Sequence, residues 1–224
     1  MLKGLSLILV IIAASTMGGK GVRQYYWRRH MRNYSDPALL LGSSEDLILM
    51  MVSQHLWVEQ NWWCMISKYV CTEVNGTVYQ RRRYYWIPPS KYIFNTTIPN
   101  EKKRGSLLYR YEIQRHKGEF TKLNTTFYTG TQWYYEGLFP VFYADDICMI
   151  VGLSRPEYYL GRKPPCALWI VRSALEKPKG YCIFILLAIC RSPMYNLREY
   201  EKTKCDEWGS PFVENSTSLA DDDD

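Results

Sequence analysis

Histidine is scarce, with three in 224 residues, at His30, His55 and His116. None stands in a His-Glu-X-X-His array, and no Gly-X-Ser-X-Gly turn or glycine-rich phosphate loop is present. Those absences exclude the common signatures of metalloproteases, serine hydrolases and nucleotide-binding enzymes. A Cys–His nucleophile built on Cys71 is the remaining enzymatic option, and no spacing supports it. No apolar run reaches the roughly 20 residues that span a bilayer. No internal repeat is visible, and the only low-complexity block is the tail Asp221–Asp224. The charge of +6 is modest, although the body is more basic than that once the aspartate tail is set aside. The runs Arg81-Arg82-Arg83 and Lys102-Lys103-Arg104 read first as solvated faces or loops and second as an anion-attracting patch.

What the chain does have points to secretion. Met1-Leu-Lys3-Gly, an apolar stretch from Leu5 to Ala14 and a small-residue exit form a signal peptide over 1–18. Seven cysteines suit a compartment where disulfides persist. Five Asn-X-Ser/Thr sequons, at Asn33, Asn75, Asn95, Asn124 and Asn215, are candidate glycosylation sites and therefore surface positions. The expected localisation is extracellular, with no membrane association after cleavage of the leader. Nucleic acid is an unlikely partner for such a chain. The cysteines are better read as disulfides than as metal ligands, so no metal and no cofactor is expected.

The length suits one sizeable domain. Residues 19–46 are an N-terminal segment with a short helix conceivable around Tyr25-Tyr26-Trp27. Leu47–Val58 is a buried strand with a bend, or a helix. Met65–Val74 and Thr77–Ile87 flank Asn75-Gly76, the strongest short-range hairpin signal, and Pro88-Pro89 ends the second strand. Leu107, Tyr109, Tyr111 and Ile113 alternate with polar residues, which reads as a half-buried strand. Phe120–Tyr128, Trp133–Tyr143, Asp146–Leu153 and Ala167–Ser173 continue the series. Tyr181–Cys190 is apolar on all sides. It is read as a covered helix in preference to a central strand, with Cys182, Leu186 and Cys190 near one stripe. Roughly eight short strands followed by a helix make an up-and-down antiparallel barrel, which closes to remove its edges and can hold one small ligand. The tail 208–224 is polar and acidic.

The last third carries a more specific pattern: Tyr143-Ala-Asp145-Asp146-Ile-Cys148, then Cys166-Ala167-Leu168-Trp169, Cys182-Ile-Phe184, Cys190, Tyr195 and Cys205. Over about 139–207 this resembles the tick salivary lipocalins, the group that includes the histamine-binding proteins. From 47 to 138 the likeness is architectural, and before 47 it is weak. The resemblance implies an all-β, lipocalin-like eight-stranded antiparallel barrel over 47–207 with a C-terminal helix, stapled by disulfides. It implies the pairs Cys148–Cys182 and Cys166–Cys190, and Cys205 with Cys64 or Cys71. Cys64 is preferred, leaving Cys71 over.

The resemblance also implies where a ligand sits. In the amine-binding members, a carboxylate after the first of these cysteines and another at the start of the Trp-containing strand pair with an ammonium group. Here those positions are Met149 and Ala167, and neither balances a charge. Trp169 still offers a ring face to a cation. By alternation Met149 and Val151 share the inward face, as do Ala167, Trp169 and Val171, with Tyr109 and Tyr111 contributing. Such a wall suits a lipid mediator better than a biogenic amine, and Arg110 or Arg115 could hold a lipid carboxylate. A different carboxylate inside the barrel would undo this preference. The same aromatic set would also serve as a filled core.

The reading that follows is a binding protein and not an enzyme: a secreted salivary lipocalin that sequesters a small host mediator, countering host defence. The alternative is a protein–protein inhibitor of a host plasma factor such as complement, with Trp62-Trp63 or Tyr134-Tyr135 as anchors.

Overall fold

The computed structural model describes residues 34–53, 62–73, 76–87, 102–153 and 163–209. The leader, Tyr25–Trp27, His30, His55, Pro88-Pro89, the acidic tail and the sequon asparagines 33, 75, 95 and 215 lie outside these residues.

Nine strands form one antiparallel sheet: β1 Leu47–Ser53, β2 Trp63–Glu73, β3 Val78–Ile87, β4 Lys103–Gln114, β5 Lys122–Tyr128, β6 Trp133–Ala144, β7 Cys148–Gly152, β8 Cys166–Val171 and β9 Met194–Asn196. The order is β2-β3-β4-β5-β6-β7-β8-β1-β9. Leu47 opposite Ser67 and Ile48 opposite Ile66 join β1 back to β2, closing eight strands into a barrel. The ninth strand pairs with the far half of β1, Met51 to Ser53. The segment from Leu47 is therefore a strand, and its bend is a bulge between Leu49 and Met51.

Closure defines two ends. One holds the start of β1 and the β2–β3 and β6–β7 turns. Gly76 takes φ 74° at the first of these turns, the left-handed geometry that the Asn-Gly signal implies. A four-residue helix, α1 (Ala38–Leu41), inserts buried Leu40 and Leu41 into the interior core at this end. The other end holds the β5–β6 turn and the starts of β2, β4 and β8.

Two cores result. The interior one includes Leu47, Met65, Tyr109, Tyr111, Leu123, Val141, Met149 and Trp169. The second lies outside the wall, where Met50, Phe142, Ile150, Leu168 and Ile170 face helix α2 (Gly180–Ile189). Disulfides tie the two ends of that helix region to neighbouring strands: Cys148–Cys182 and Cys166–Cys190. The third bond joins Cys64 to Cys205, leaving Cys71 as the free thiol among the described residues.

Three readings of the sequence are revised or extended. Helix α2 is not covered all round. Cys182 and Leu186 are buried, whereas Phe184 is 63% exposed and Leu187 46%. A single helix face reaches the wall, so the apolar run exceeds what packing uses. Second, the polar segment after it forms another helix, α3 (Leu197–Trp208). Asn196 caps it by accepting the Glu199 N–H, and Gly209 at φ 71° ends it. Third, the arginine run at 81–83 is neither a loop nor a solvated face. It lies within β3, where alternation sends Arg81 and Arg83 into the barrel.

Candidate functional site: the barrel interior

The site grows from the alternation of β3 and β4. Tyr79, Arg81, Arg83 and Tyr85 occupy alternate positions on β3, opposite Tyr111, Tyr109, Leu107 and Gly105 on β4. A Cβ at Gly105 would stand 2.3 Å from the Tyr85 ring, so glycine there makes room for the aromatic.

The two inward arginines have different environments. Arg81 is fully buried and bonded to protein carbonyls. Its Nη1 donates to Leu41 O at 3.0 Å and Ser43 O at 2.7 Å, and its Nη2 to Glu45 O at 2.6 Å and Ser67 O at 2.8 Å. It thus pins the stretch from α1 to β1 against β2. Burial pulls its guanidinium down to about 10, which still leaves it protonated at neutral pH.

Arg83 also lines the cavity, held by aromatic side chains where Arg81 is held by backbone carbonyls. Its Nε donates to the Tyr111 hydroxyl at 2.9 Å. The guanidinium carbon lies 3.7 Å from the Tyr109 ring centre and 5.2 Å from that of Trp169. Stacking on aromatic faces stabilises a partly desolvated guanidinium. Burial pushes the Tyr111 phenol up despite the opposing pull of Arg83, so it remains a neutral O–H. Because that oxygen accepts from Arg83, its proton is available to another acceptor.

Glu136 completes the polar group. Its carboxylate lies 4.0 Å from Arg83 Nη1. The residue is placed by a bulge on β6: Thr125 pairs with Gly137 and Thr126 with Tyr135, so Glu136 is the extra residue between them. Bulges re-aim side chains in this way. From here an aromatic ladder runs toward the rim: Tyr111 to Tyr109 at 5.9 Å, Tyr109 to Phe127 at 5.9 Å and Phe127 to Tyr134 at 5.6 Å.

Arg81, Arg83, Tyr111 and Glu136 border a cavity of about 230 Å³. Its apolar wall includes Met149, Val151, Ala167, Trp169, Leu49 and Phe139, and Trp62 and Tyr111 also line it. The interior is therefore not a filled core. Met149, Val151, Ala167, Trp169 and Tyr111 come together as the alternation predicts. Tyr109 lies beneath Arg83, while Val171 belongs to the same interior core nearer the α1 end. A second cavity, outside the barrel under α3, is bordered by Ile66, Leu197, buried Glu201 and Cys205. The Glu201 carboxylate accepts the Cys64 N–H at 2.9 Å, next to the Cys64–Cys205 bond.

Sequence reasoning missed Arg83 and Glu136. Arg110 and Arg115 do not reach the cavity: Arg110 pairs with Glu73 at 3.4 Å and Arg115 with Asp36 at 2.8 Å. The expectation of an interior without a carboxylate is overturned by Glu136. Applying alternation to Tyr79–Tyr85 would have found the arginine, since the strand places every second side chain inside. The bulge that aims Glu136 has no local signal apart from Gly137. The proposed anchor pair Trp62-Trp63 is also corrected. Trp62 stacks on Tyr85 at 4.3 Å, and Trp63 stacks on Trp208 of α3 at 5.5 Å.

The acidic turn before Cys148 is structural. Asp145 Oδ1 accepts the Ile147 and Cys148 N–H groups, and Oδ2 accepts the hydroxyls of Tyr143 and Tyr181.

No protein-family model and no curated protein sequence matches this chain. Among solved structures, it is similar to Japanin from Rhipicephalus appendiculatus bound to cholesterol. The TM-score is 0.50 and the identity 15%, over 72% of this chain and 95% of that one. At that identity the likeness establishes the fold. Together with the eight-stranded closure, the C-terminal helix and the three disulfides, it identifies the chain's architecture as that of a lipocalin, the fold of the tick salivary proteins its last third resembles.

Proposed function

We propose that this chain is a secreted, non-enzymatic salivary lipocalin that sequesters a small amphipathic lipid. The lipid's apolar body would lie along Met149, Val151, Ala167 and Trp169, and its acidic head at Arg83. The observation that carries this reading is the stacked, cavity-facing Arg83 beside an apolar wall. A guanidinium recognises a carboxylate through charge-assisted hydrogen bonds. At about 230 Å³ the space is slightly below the roughly 300–1,000 Å³ of typical small-molecule sites, which favours a slender guest. That the Japanin structure contains cholesterol supports an apolar guest on this fold.

Glu136 does not restore an amine site. Its carboxylate faces Arg83, and Arg81 stands nearby in the same cavity lining. An ammonium guest would meet two guanidiniums, that of Arg81 fully buried, and one carboxylate already facing Arg83, while desolvation of the guest would still have to be offset. Capture would withdraw a host mediator and so counter host defence. The leader 1–18 would be removed on secretion. Among the described residues no helix is long and apolar enough to cross a membrane. Of the sequons, Asn124 lies on the outer face of β5, where its amide donates to Glu112 at 2.9 Å. A glycan there would stay outside the cavity, and glycans at 33, 75, 95 and 215 belong to the same proposal.

The test is thermal. Only a ligand of the native state raises the melting temperature. Oleic acid is expected to raise it and histamine to leave it unchanged; a larger shift with histamine would overturn the lipid reading.

A second reading has one observation in its favour. Trp133, Tyr134 and Tyr135 are exposed at the barrel rim, Tyr135 by 58%. Tyr134 and Tyr135 are anchors expected of a protein–protein inhibitor of a host plasma factor, and Trp133 extends the patch. A stoichiometric plasma protein retained by the full chain, with no thermal response to oleic acid, would favour it.

A further inference from the structure

Resting on that reading of the barrel interior, we infer that Glu136 is a displaceable counter-ion built into the head-group site, and that it sets how strongly the barrel selects acids. Three observations converge. First, the Glu136 carboxylate faces the same guanidinium edge that a ligand acid would use, at 4.0 Å, longer than a charge-assisted hydrogen bond. Arg83 is meanwhile held in position without it, by Tyr111 and by the rings of Tyr109 and Trp169. Displacing the carboxylate therefore need not move the cation.

Second, Glu136 is the unpaired residue of the β6 bulge, so no residue of β5 stands directly opposite to hold its side chain in place. Third, its side chain is 30% exposed whereas that of Arg83 is 16% exposed. The carboxylate has water to return to, which keeps the cost of releasing it low, and the guanidinium has less.

An acidic ligand thus exchanges one carboxylate for another at Arg83, with no buried charge left unpaired at either stage. A neutral ligand with the same chain leaves the Arg83–Glu136 pair in place and gains nothing from its removal. Glu136 is a specificity-determining residue in this sense: it balances Arg83 in the empty site and subtracts from acid binding alone.

The experiment compares oleic acid with oleyl alcohol on the full chain and on Glu136→Gln, with Glu136→Ala as a second variant should the amide perturb folding. Affinity is read by displacement of a fluorescent apolar probe, with circular dichroism as the check on fold. Expected for Glu136→Gln is oleic acid binding that is tighter by roughly two- to fivefold, the scale of a partly exposed ion pair, and unchanged binding of oleyl alcohol. Glu136→Ala should move the acid in the same direction. Equal effects on acid and alcohol, or weaker acid binding, would overturn the inference and show the pair to be structural. If neither compound binds the unaltered chain, the lipid reading fails and this inference with it. If both bind and the acid does not respond to the variants, only the role of Glu136 fails.

Discussion

Arg81 and Arg83 stand two positions apart on one strand and face the same interior, yet only one is available to a guest. Arg81 spends its donors on the carbonyls of Leu41, Ser43, Glu45 and Ser67. Replacing it with alanine leaves several buried acceptors unpaired, each costing about 1–3 kcal/mol. Arg81→Ala is expected to lower stability by about 3 kcal/mol or more, read as a fall in the urea midpoint at unchanged slope. A loss under about 1 kcal/mol would mean that the stretch from α1 to β1 does not depend on this clamp. The inward position of both arginines was legible at this scale, because period-two alternation needs no knowledge of the fold. Their different environments were not, because three of the acceptors around Arg81, on Leu41, Ser43 and Glu45, are 36 to 40 positions away in sequence.

At the scale of elements, α2 is joined to the β6–β7 hairpin by a polar contact as well as by the Cys148–Cys182 bond. Tyr143 and Tyr181 both donate to Asp145 Oδ2, at 2.9 and 2.7 Å. Burial, followed by that bond to Asp145, pushes the Tyr181 phenol up to about 12, and the same causes raise Tyr143. An unfolded tyrosine ionises near pH ~10. The neutral phenol is thus favoured in the folded state, and the contribution is fully present below pH ~10 and lost as pH rises through the folded value. The melting temperature is expected to fall between pH ~10 and ~12, and less steeply in Tyr143→Phe/Tyr181→Phe. Parallel curves for the two proteins would rule out this contact as a contributor.

Helix α2 also shows why an apolar run misleads. Its composition satisfies a covered helix, but only one side meets the wall: Cys182 and Leu186 are buried, Ile183, Ile185 and Ile189 partly so, while Phe184 and Leu187 face outward. Periodicity is uninformative when every position is apolar. Helix α3 escaped notice for the opposite reason: its sequence is mostly polar, although Asn196 and Glu199 formed a capping signal.

The whole molecule is a cylinder whose closure depends on few strand pairs between β1 and β2, reinforced by a long-range bond. Cys64 and Cys205 are 141 residues apart, whereas Cys166 and Cys190 are separated by 24. Cross-linking restricts the unfolded chain more when the loop is longer, about 3 kcal/mol for a short loop and about 4.7 for one of roughly 100 residues. Cys64→Ala/Cys205→Ala is therefore expected to lower the melting temperature more than Cys166→Ala/Cys190→Ala. The reverse order would show that the local tie of α2 outweighs the constraint across the barrel.

Although it did not decide β1 between strand and helix or reveal β9, the sequence by itself determined strands β2 to β8, the antiparallel barrel and the inward set Met149, Val151, Ala167 and Trp169. These follow from alternation and from the need of an antiparallel sheet to close its edges, both of which act through neighbours along the chain or across one hairpin. Only the tertiary structure decided that the interior keeps a cavity, that Arg83 lies over the ring of Tyr109 and near that of Trp169, and that Glu136 stands against it. Those facts depend on the diameter of the closed barrel and on a bulge in β6, which bring side chains from distant strands to one point.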